Sequence, residues 1–173
     1  MGIWRILSRN AAREPRTRLP SAEVPFPEGL RGALRHKPAR CTGCQVCAYT
    51  CAPAAITFHA SDPGSITWSY FAGQCSFCGR CVEYCPTEAL DFAPDAPPVT
   101  GDPSEHRVAH LVVFPPCPRC GRPVPPIPAT LLVRLYGEPL PRGIQSRQGL
   151  CERCRGRATA EGLRAQASGR RHG

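Results

Sequence analysis

Eight cysteines in two short runs are the residues of this chain best suited to chemistry. The first run reads Cys41-Thr-Gly-Cys44-Gln-Val-Cys47-Ala-Tyr-Thr-Cys51, and the second reads Cys75-Ser-Phe-Cys78-Gly-Arg-Cys81-Val-Glu-Tyr-Cys85-Pro86. Both runs follow the spacing C-x2-C-x2-C-x3-C, which is typical of chains that hold two [4Fe-4S] clusters. Three thiolates spaced by two residues can wrap three corners of one cubane. The spacing therefore predicts two [4Fe-4S] clusters as cofactors.

The fourth cysteine of each run lies further along the same run, after an interval of three residues. In two-cluster ferredoxins that cysteine binds the other cluster. We therefore predict the following ligands: cluster 1 is bound by Cys41, Cys44, Cys47 and Cys85, and cluster 2 by Cys51, Cys75, Cys78 and Cys81. This crossing would join two separate runs into one compact unit.

Four further cysteines form a second constellation, Cys117-x2-Cys120 and Cys151-x2-Cys154. Each pair has the form of a zinc knuckle, a tight turn that presents two thiolates to half of a tetrahedron. The intervening residues 121–150 exceed the usual interval, but Thr130–Tyr136 is predicted to be a short helix. We expect one Zn²⁺, or a single iron in rubredoxin-like geometry, and an empty site is the alternative. A closed four-thiolate site has a structural role, because no position is open for a substrate.

Outside these cysteines, no pattern of residues predicts a catalytic or metal-binding site. The five histidines are scattered and complete no metal pattern. The sequence shows no Ser-His-Asp set, no phosphate-binding loop and no paired carboxylates. We therefore expect no catalytic site, and the chain is not predicted to be an enzyme by itself.

The composition favours a loop-rich fold built around metal. The 173 residues include 21 prolines and 16 glycines, so long helices are not expected to dominate. Such a chain buries little apolar surface, and metal centres would have to nucleate its core. Twelve cysteines could also form disulfides, but all of them fall in C-x2-C elements and no secretory signal is evident. No stretch approaches the roughly 18 apolar residues of a membrane span. A reducing cytoplasm is the expected compartment.

The positive charge does not by itself predict nucleic-acid binding. The formal net charge is +9 without metals. Two clusters and a four-thiolate zinc site carry about −2 each with their ligands, which would bring the net charge to about +3. In addition, no aromatic residues interleave with the five arginines of residues 155–173 to stack bases. Nucleic acid is therefore not an expected partner.

Short elements are predicted around the cysteines. Residues 1–14 favour an amphipathic helix that docks on a membrane surface or a partner subunit, and a frayed terminus or a helix packed on its own domain is the alternative. Two β-prone segments, Ile56–His59 and Ile66–Tyr70, flank a turn and predict a hairpin inserted between the runs. Ala89–Phe92 resembles Ala55–Phe58, which indicates an internal repeat of about 34 residues. Val108–Phe114 is predicted to be a strand.

These elements give a predicted α+β fold in five segments. They are a helix and proline-rich docking arm (1–40), a two-[4Fe-4S] ferredoxin-like unit with the inserted hairpin (41–92), a linker (93–106), a ribbon-like four-cysteine domain of the zinc-ribbon or rubredoxin kind (107–154), and a basic, disordered tail (155–173). An apolar shell around the clusters is expected from Ile56, Phe58, Phe77, Val82, Leu90 and Phe92.

The sequence resembles a known family of electron-transfer subunits. Pro27-Glu-Gly-Leu-Arg-Gly32 and Cys75-Ser-Phe-Cys78-Gly-Arg-Cys81 carry the resemblance most specifically. Over residues 1–92 the chain is similar to the two-cluster ferredoxin subunit shared by respiratory complex I and the membrane-bound [NiFe] hydrogenases. The first run departs from the family's usual Cys-Pro, because Cys51 is followed by Ala52-Pro53. This departure affects local packing rather than the ligand spacing.

The paired C-x2-C extension narrows the resemblance to the iron–sulfur subunit of formate hydrogenlyase and its relatives, since complex I homologues generally end soon after the ferredoxin unit. This implies a relay of single electrons within a membrane-associated complex. The implied partners are a small [NiFe]-hydrogenase-like subunit, another iron–sulfur protein, and membrane-arm subunits near the N-terminal helix. The implied location is cytoplasmic, peripheral on the inner face of the cell membrane. A complex I-type quinone reductase subunit and a zinc-only nucleic-acid-binding module are the alternatives.

Overall fold

The computed structural model describes residues 2–11, 29–93 and 102–169, and every structural statement below concerns those residues. Eleven helices and strands follow one another along them. They are α1 (Ile3–Ala11), β1 (Leu34–His36), α2 (Val46–Tyr49), β2 (Ile56–Asp62), β3 (Ser65–Phe71), α3 (Arg80–Glu83), β4 (Leu90–Phe92), β5 (Arg107–Val113), α4 (Ala129–Tyr136), α5 (Arg142–Gln145) and α6 (Glu152–Gly169). The fold is a mixture of α and β elements, as predicted.

The cysteine runs lie in two similar halves whose strands pair across the repeat. Each half has a strand, a 3-10 turn, a cysteine run with a one-turn helix, and a second strand. β1 of the first half pairs antiparallel with β4 of the second half, with Leu34 opposite Phe92. β2 of the first half pairs antiparallel with β3 of the second half, with Ile56 opposite Tyr70. Both cysteine runs are therefore held by strands from both halves.

The predicted hairpin is confirmed and gains a third strand. β2 and β3 are joined by a tight turn at Pro63 and Gly64, where proline and glycine favour a reversal of the chain. β5 then pairs antiparallel with β3, so the sheet order is β2-β3-β5. The strand predicted over Val108–Phe114 is thereby found at Arg107–Val113, and its Val112 is fully buried against the sheet.

The main hydrophobic core lies between the hairpin and the two cysteine runs. Trp68 and Val112 are its fully buried large side chains. Cysteines of both runs belong to the same core. A second, small core consists of Cys117, Val124, Leu150 and Cys154. Cysteines are therefore among the buried residues of both cores.

The N-terminal segment differs partly from its predicted form. Helix α1 is present, and Ile3, Trp4, Ile6 and Leu7 on it are all more than half exposed. Residues 12–28 of the predicted docking arm lie outside the described residues. The last part of that arm contains β1, which pairs with β4 and so packs with the ferredoxin-like unit. None of the described helices is long and apolar enough to cross a membrane.

The prediction of a disordered tail over residues 155–173 is wrong for its described part. Helix α6 continues through this segment to Gly169, and residues 170–173 lie outside the description. The segment lacks proline, and seven of residues 155–169 are alanine or arginine, which favour a helix. Its first turn is anchored because Cys154 is buried, and a later turn is tied by Glu161 to Arg119 at 2.9 Å.

The predicted linker over residues 93–106 is also partly structured. Residues 94–101 lie outside the described part of the chain. Pro103–His106 form a 3-10 turn, and the side chain of Asp102 accepts a hydrogen bond from the backbone N–H of Ser104 at 2.8 Å. Asp102 thus caps the turn that leads directly into β5.

Candidate iron–sulfur and metal centres

Two cavities of similar size lie beside the cysteine runs. Cavity 1 is lined by Cys41, Cys44, Cys47 and Cys85. Cavity 2 is lined by Cys51, Cys75, Cys78 and Cys81. Each cavity thus brings together three cysteines of one run and the fourth of the other run, the same groups as in the predicted ligand sets.

Left-handed backbone conformations turn both runs around their cavities. Gly43 has φ of 69° and Phe77, at the equivalent position of the second run, has φ of 53°. At these turns the N–H of Gly43 donates to Cys41 Sγ (3.4 Å) and the N–H of Phe77 donates to Cys75 Sγ (3.3 Å). A backbone N–H aimed at sulfur favours the charged thiolate, the form that binds metal.

The fourth cysteine of each run is held in the same way in both halves. The N–H of Ala55 donates to Cys51 Sγ at 3.3 Å, and the N–H of Ala89 donates to Cys85 Sγ at 3.2 Å. The Ala52-Pro53 sequence after the first run, which departs from the family's usual Cys-Pro, therefore leaves the backbone contact of Cys51 like that of its counterpart.

The thiols within each run differ in how deeply they are buried. Burial raises the pKa of Cys47 to about 12 and that of Cys81 to about 11. Cys44 and Cys78 are exposed instead, and the backbone N–H of Arg80 lowers the pKa of Cys78. Buried thiols at these pKa values become thiolates at neutral pH only when a cation replaces their protons. Each cavity therefore has a buried side that suits a metal centre and an exposed side near solvent.

Apolar side chains form the remaining walls. Ile56 and Phe92 line cavity 2, and Phe58 and Leu90 line cavity 1, as the predicted apolar shell requires. Leu34 also lines cavity 2. The other two residues of that predicted shell, Phe77 and Val82, are half-buried and line neither cavity. Walls of this kind exclude water and lower the local dielectric constant around a bound cluster.

Arg31 is a supporting residue whose role the sequence did not predict. Its Nη1 donates to the carbonyl oxygens of Phe77 (3.0 Å) and Cys78 (2.5 Å) in the second run. A Cβ at Gly79 would lie 3.0 Å from the same nitrogen, so glycine leaves room for the guanidinium. Arg31 belongs to the Pro27–Gly32 element, for which the sequence predicts no contact.

The structure brings the four cysteines of the second constellation together. The sulfurs of Cys117, Cys120, Cys151 and Cys154 all lie within 4.8 Å of one another, and Cys120 Sγ is 3.5 Å from Cys151 Sγ. A tetrahedral site with zinc–sulfur bonds of about 2.3 Å has sulfurs about 3.8 Å apart, so the arrangement fits a single metal ion. The predicted helix in the interval is confirmed as α4, Ala129–Tyr136.

Backbone contacts prepare this site for a cation. The N–H of Cys151 donates to Cys117 Sγ at 3.4 Å and lowers the pKa of that thiol to about 6. Burial raises the pKa of Cys154 to about 12. Thiols must lose their protons to bind a metal, so a bound cation would be needed to make Cys154 a thiolate at neutral pH. Four thiolates suit both Zn²⁺ and a single iron, so the chemistry of the donor set leaves the metal undetermined.

Comparisons with known proteins agree with the geometry of the first two cavities. Residues 40–97 match the family model of the 4Fe-4S dicluster domain. The NAD(P)H-quinone oxidoreductase subunit I of Gloeobacter violaceus is 33% identical over 72 residues, which cover 38% of this chain and 34% of that protein. The NADH-quinone oxidoreductase subunit I of Pelobacter propionicus is 32% identical over 72 residues, which cover 36% of this chain and 38% of that protein.

The similarity concerns one part of each molecule. The chain spans about a third of the length of the curated relatives it matches. Both relatives are named as subunits of quinone oxidoreductases. Together, the family match and the arrangement of the cysteines show that this chain contains a 4Fe-4S dicluster domain.

Proposed function

We propose that this chain is an electron-transfer subunit that relays single electrons through two [4Fe-4S] clusters inside a larger oxidoreductase complex. One observation carries the proposal: each of two neighbouring cavities is lined by four cysteines, three from one run and one from the other. A [4Fe-4S] cluster supplies the ability to accept and release one electron without a change of ligands. The chain's own residues supply sulfur, N–H donors and apolar walls.

In this proposal the ligands are those predicted from the spacing. Cluster 1 is held in cavity 1 by Cys41, Cys44, Cys47 and Cys85, and cluster 2 in cavity 2 by Cys51, Cys75, Cys78 and Cys81. The fit is supported by backbone N–H groups already directed at four of these sulfurs. It is also supported by buried thiols that need a cation in order to ionise.

The complex is proposed to be membrane-associated, with this chain as a peripheral cytoplasmic subunit. The formate hydrogenlyase or [NiFe]-hydrogenase type is favoured by the four-cysteine extension, which follows the ferredoxin unit as in that family. The complex I type is favoured by the names of the two relatives. In the first case the partners are a small hydrogenase-like subunit and a second iron–sulfur protein, and in both cases membrane-arm subunits lie near α1.

Helix α1 is the proposed docking element. Its Ile3, Trp4, Ile6 and Leu7 expose apolar surface that an isolated soluble helix would not favour. The four-cysteine site is proposed to hold one Zn²⁺, or a single iron, with a structural role only. The chain itself is proposed to have no substrate site, so catalysis would belong to its partners.

Metal analysis tests the relay function directly. The full chain, purified without oxygen, is expected to contain about eight iron and eight sulfide per molecule and to absorb broadly near 400 nm. A colourless protein with about three zinc ions would instead support the zinc-only alternative. Cys78→Ala should remove or convert one cluster and stop electron transfer through the complex. Unchanged iron content with wild-type transfer in this variant would contradict the proposal.

Copurified partners distinguish the two kinds of complex. Affinity purification of the native complex from its membrane should recover a large subunit containing nickel if the hydrogenase type is correct. A complex without nickel that reduces quinone would favour the complex I type. Deletion of residues 2–11 is expected to leave the iron content of the chain unchanged while it weakens recovery of the partners.

A further inference from the structure

Two buried hydrogen-bond donors on β3 lie beside the two cavities. Trp68 is 0% exposed and Tyr70 is 3% exposed. The two residues are separated by one position, so their side chains lie on the same face of the strand. Trp68 Nε1 and Tyr70 Oη have no hydrogen-bond partner among the described residues. Buried donors without partners are unfavourable, and each such group calls for an explanation.

Tyr70 lies at cavity 2. Its side chain is one of the walls of that cavity. Cys51, Cys75 and Cys81 line the same cavity. A phenol donates its O–H in its ordinary neutral form, and the acceptors beside it are the sulfurs of the proposed cluster 2.

Trp68 lies close to the other cavity. It belongs to the same buried core as Cys47, which lines cavity 1 together with His36. The indole is held in place by stacking, with its ring centroid 4.2 Å from that of His36 and 5.8 Å from that of His110. A tryptophan N–H can only donate, so the sulfur of Cys47 is its natural acceptor.

We propose that Trp68 Nε1–H and Tyr70 Oη–H are hydrogen-bond donors to the sulfurs of cluster 1 at Cys47 and of cluster 2 at Cys75, so that β3 tunes the two reduction potentials separately. This inference rests on the proposed function. Both residues are positioning residues, because they act on the clusters through sulfur. A donor to sulfur stabilises the more negative, reduced cluster and raises its potential.

The internal repeat explains why this tuning differs between the clusters. The residue of the first half that corresponds to Trp68 is Leu34, which lines cavity 2 and has no polar atom in its side chain. The residue that corresponds to Tyr70 is His36, a different donor type. The two clusters therefore receive unlike side-chain contacts in spite of their similar backbone contacts, and unequal potentials are expected.

Redox titration of the purified, cluster-loaded chain followed by electron paramagnetic resonance tests the proposal. Cys44→Ala and Cys78→Ala variants assign the signals to clusters 1 and 2. Tyr70→Phe is expected to lower the reduction potential of cluster 2 alone. The equilibrium constant for reduction should fall about tenfold, which corresponds to 59 mV for one electron. Trp68→Phe is expected to lower the potential of cluster 1 alone. Tyr49→Phe and Trp4→Phe, at side chains 93% and 80% exposed, are the matched controls and should shift neither cluster.

A second measurement covers the case in which Trp68→Phe loses its clusters. In the wild-type chain labelled with ¹⁵N at the indole nitrogen, electron–nuclear double resonance should detect coupling between that nucleus and reduced cluster 1. The absence of this coupling, or wild-type potentials in a cluster-loaded Tyr70→Phe variant, would overturn the inference. A wild-type chain without iron clusters would instead refute the proposed function, so the two failures are distinguishable by iron content.

Discussion

At the scale of single residues, Arg31 links the N-terminal segment to the second cysteine run. One guanidinium nitrogen donates to two consecutive carbonyl oxygens, those of Phe77 and Cys78. Phe77 is held in a left-handed conformation with φ of 53°, which is uncommon for a bulky residue. The arginine therefore stabilises the turn on which Cys75 and Cys78 are presented.

Arg31→Ala is expected to weaken cluster 2 selectively. A hydrogen bond from a charged donor is worth about 1.5 kcal/mol at the low end of its range, which suits the exposed Arg31. Iron should therefore be released from cluster 2 about tenfold faster than in the wild type when a chelator is added, as followed by loss of its spectroscopic signal. Arg35→Ala, at an exposed arginine 3.9 Å from Asp91, is the matched control. Equal release rates in the two variants would remove Arg31 from its supporting role.

The grouping of the cysteines could be predicted from the sequence, whereas the contacts of Arg31 could not. Cysteine spacing limits which sulfurs can meet at one cluster, so the groups that line each cavity were predictable. The contacts of Arg31, Trp68 and Tyr70 depend on how distant segments pack. No spacing rule relates Arg31 to Phe77, which follows it by 46 residues. For this reason the predicted apolar shell was right for Ile56 and Leu90 but included Phe77, which lines neither cavity.

At the scale of elements, α6 is the clearest departure from expectation. Its arginines and small polar residues predict disorder, yet its alanines and arginines have good helix propensity once one end is fixed. Leu150 and Cys154 fix that end in the small C-terminal core. The composition of the segment does not show that its first end is fixed. That end is fixed because the fold brings the four cysteines together. The hairpin was easier to predict, because its turn and its β-prone flanks are local signals.

Gly162→Ala tests whether α6 is a helix. A Cβ at this position would meet nothing within 4 Å, so the substitution changes helix propensity without a clash. The metal-loaded chain should be stabilised by about 1 kcal/mol, seen as a higher melting temperature and greater helical circular dichroism. Gly137→Ala provides the contrast, because Gly137 has φ of 77° at the end of α4 and alanine should be destabilising there. A disordered tail would leave both signals of Gly162→Ala unchanged.

At the scale of the whole molecule, the two parts that contain the cysteine groups share one sheet and one exposed ion-pair group. β5, which leads into the four-cysteine part, pairs with β3 of the dicluster part. Glu88, beside the fourth cysteine of the second run, lies 3.1 Å from Arg40 and 3.8 Å from Arg134 of α4. Exposed pairs of this kind contribute little stability, so each part must be held mainly by its own core.

Removal of the metal from the four-cysteine site is expected to unfold that part alone. Its core contains two cysteines besides Val124 and Leu150, too little apolar surface to remain folded without metal. Hydrogen exchange measured after treatment with a zinc chelator should therefore accelerate over residues 115–169 and remain slow over residues 34–93. The double variant Cys120→Ala/Cys151→Ala should behave in the same way without a chelator. Slow exchange throughout the chelated protein would show that the site has no structural role.

The central claim is that each cluster takes its fourth ligand from the other run, and paired alanine variants test it most directly. Cys44→Ala/Cys85→Ala changes two cysteines of cavity 1, whereas Cys44→Ala/Cys51→Ala changes one cysteine of each cavity. Mössbauer spectroscopy of the purified variants counts the intact [4Fe-4S] clusters. The account predicts one intact cluster in the first variant and none in the second. One intact cluster in the second variant and none in the first would contradict it, because each run would then bind its own cluster.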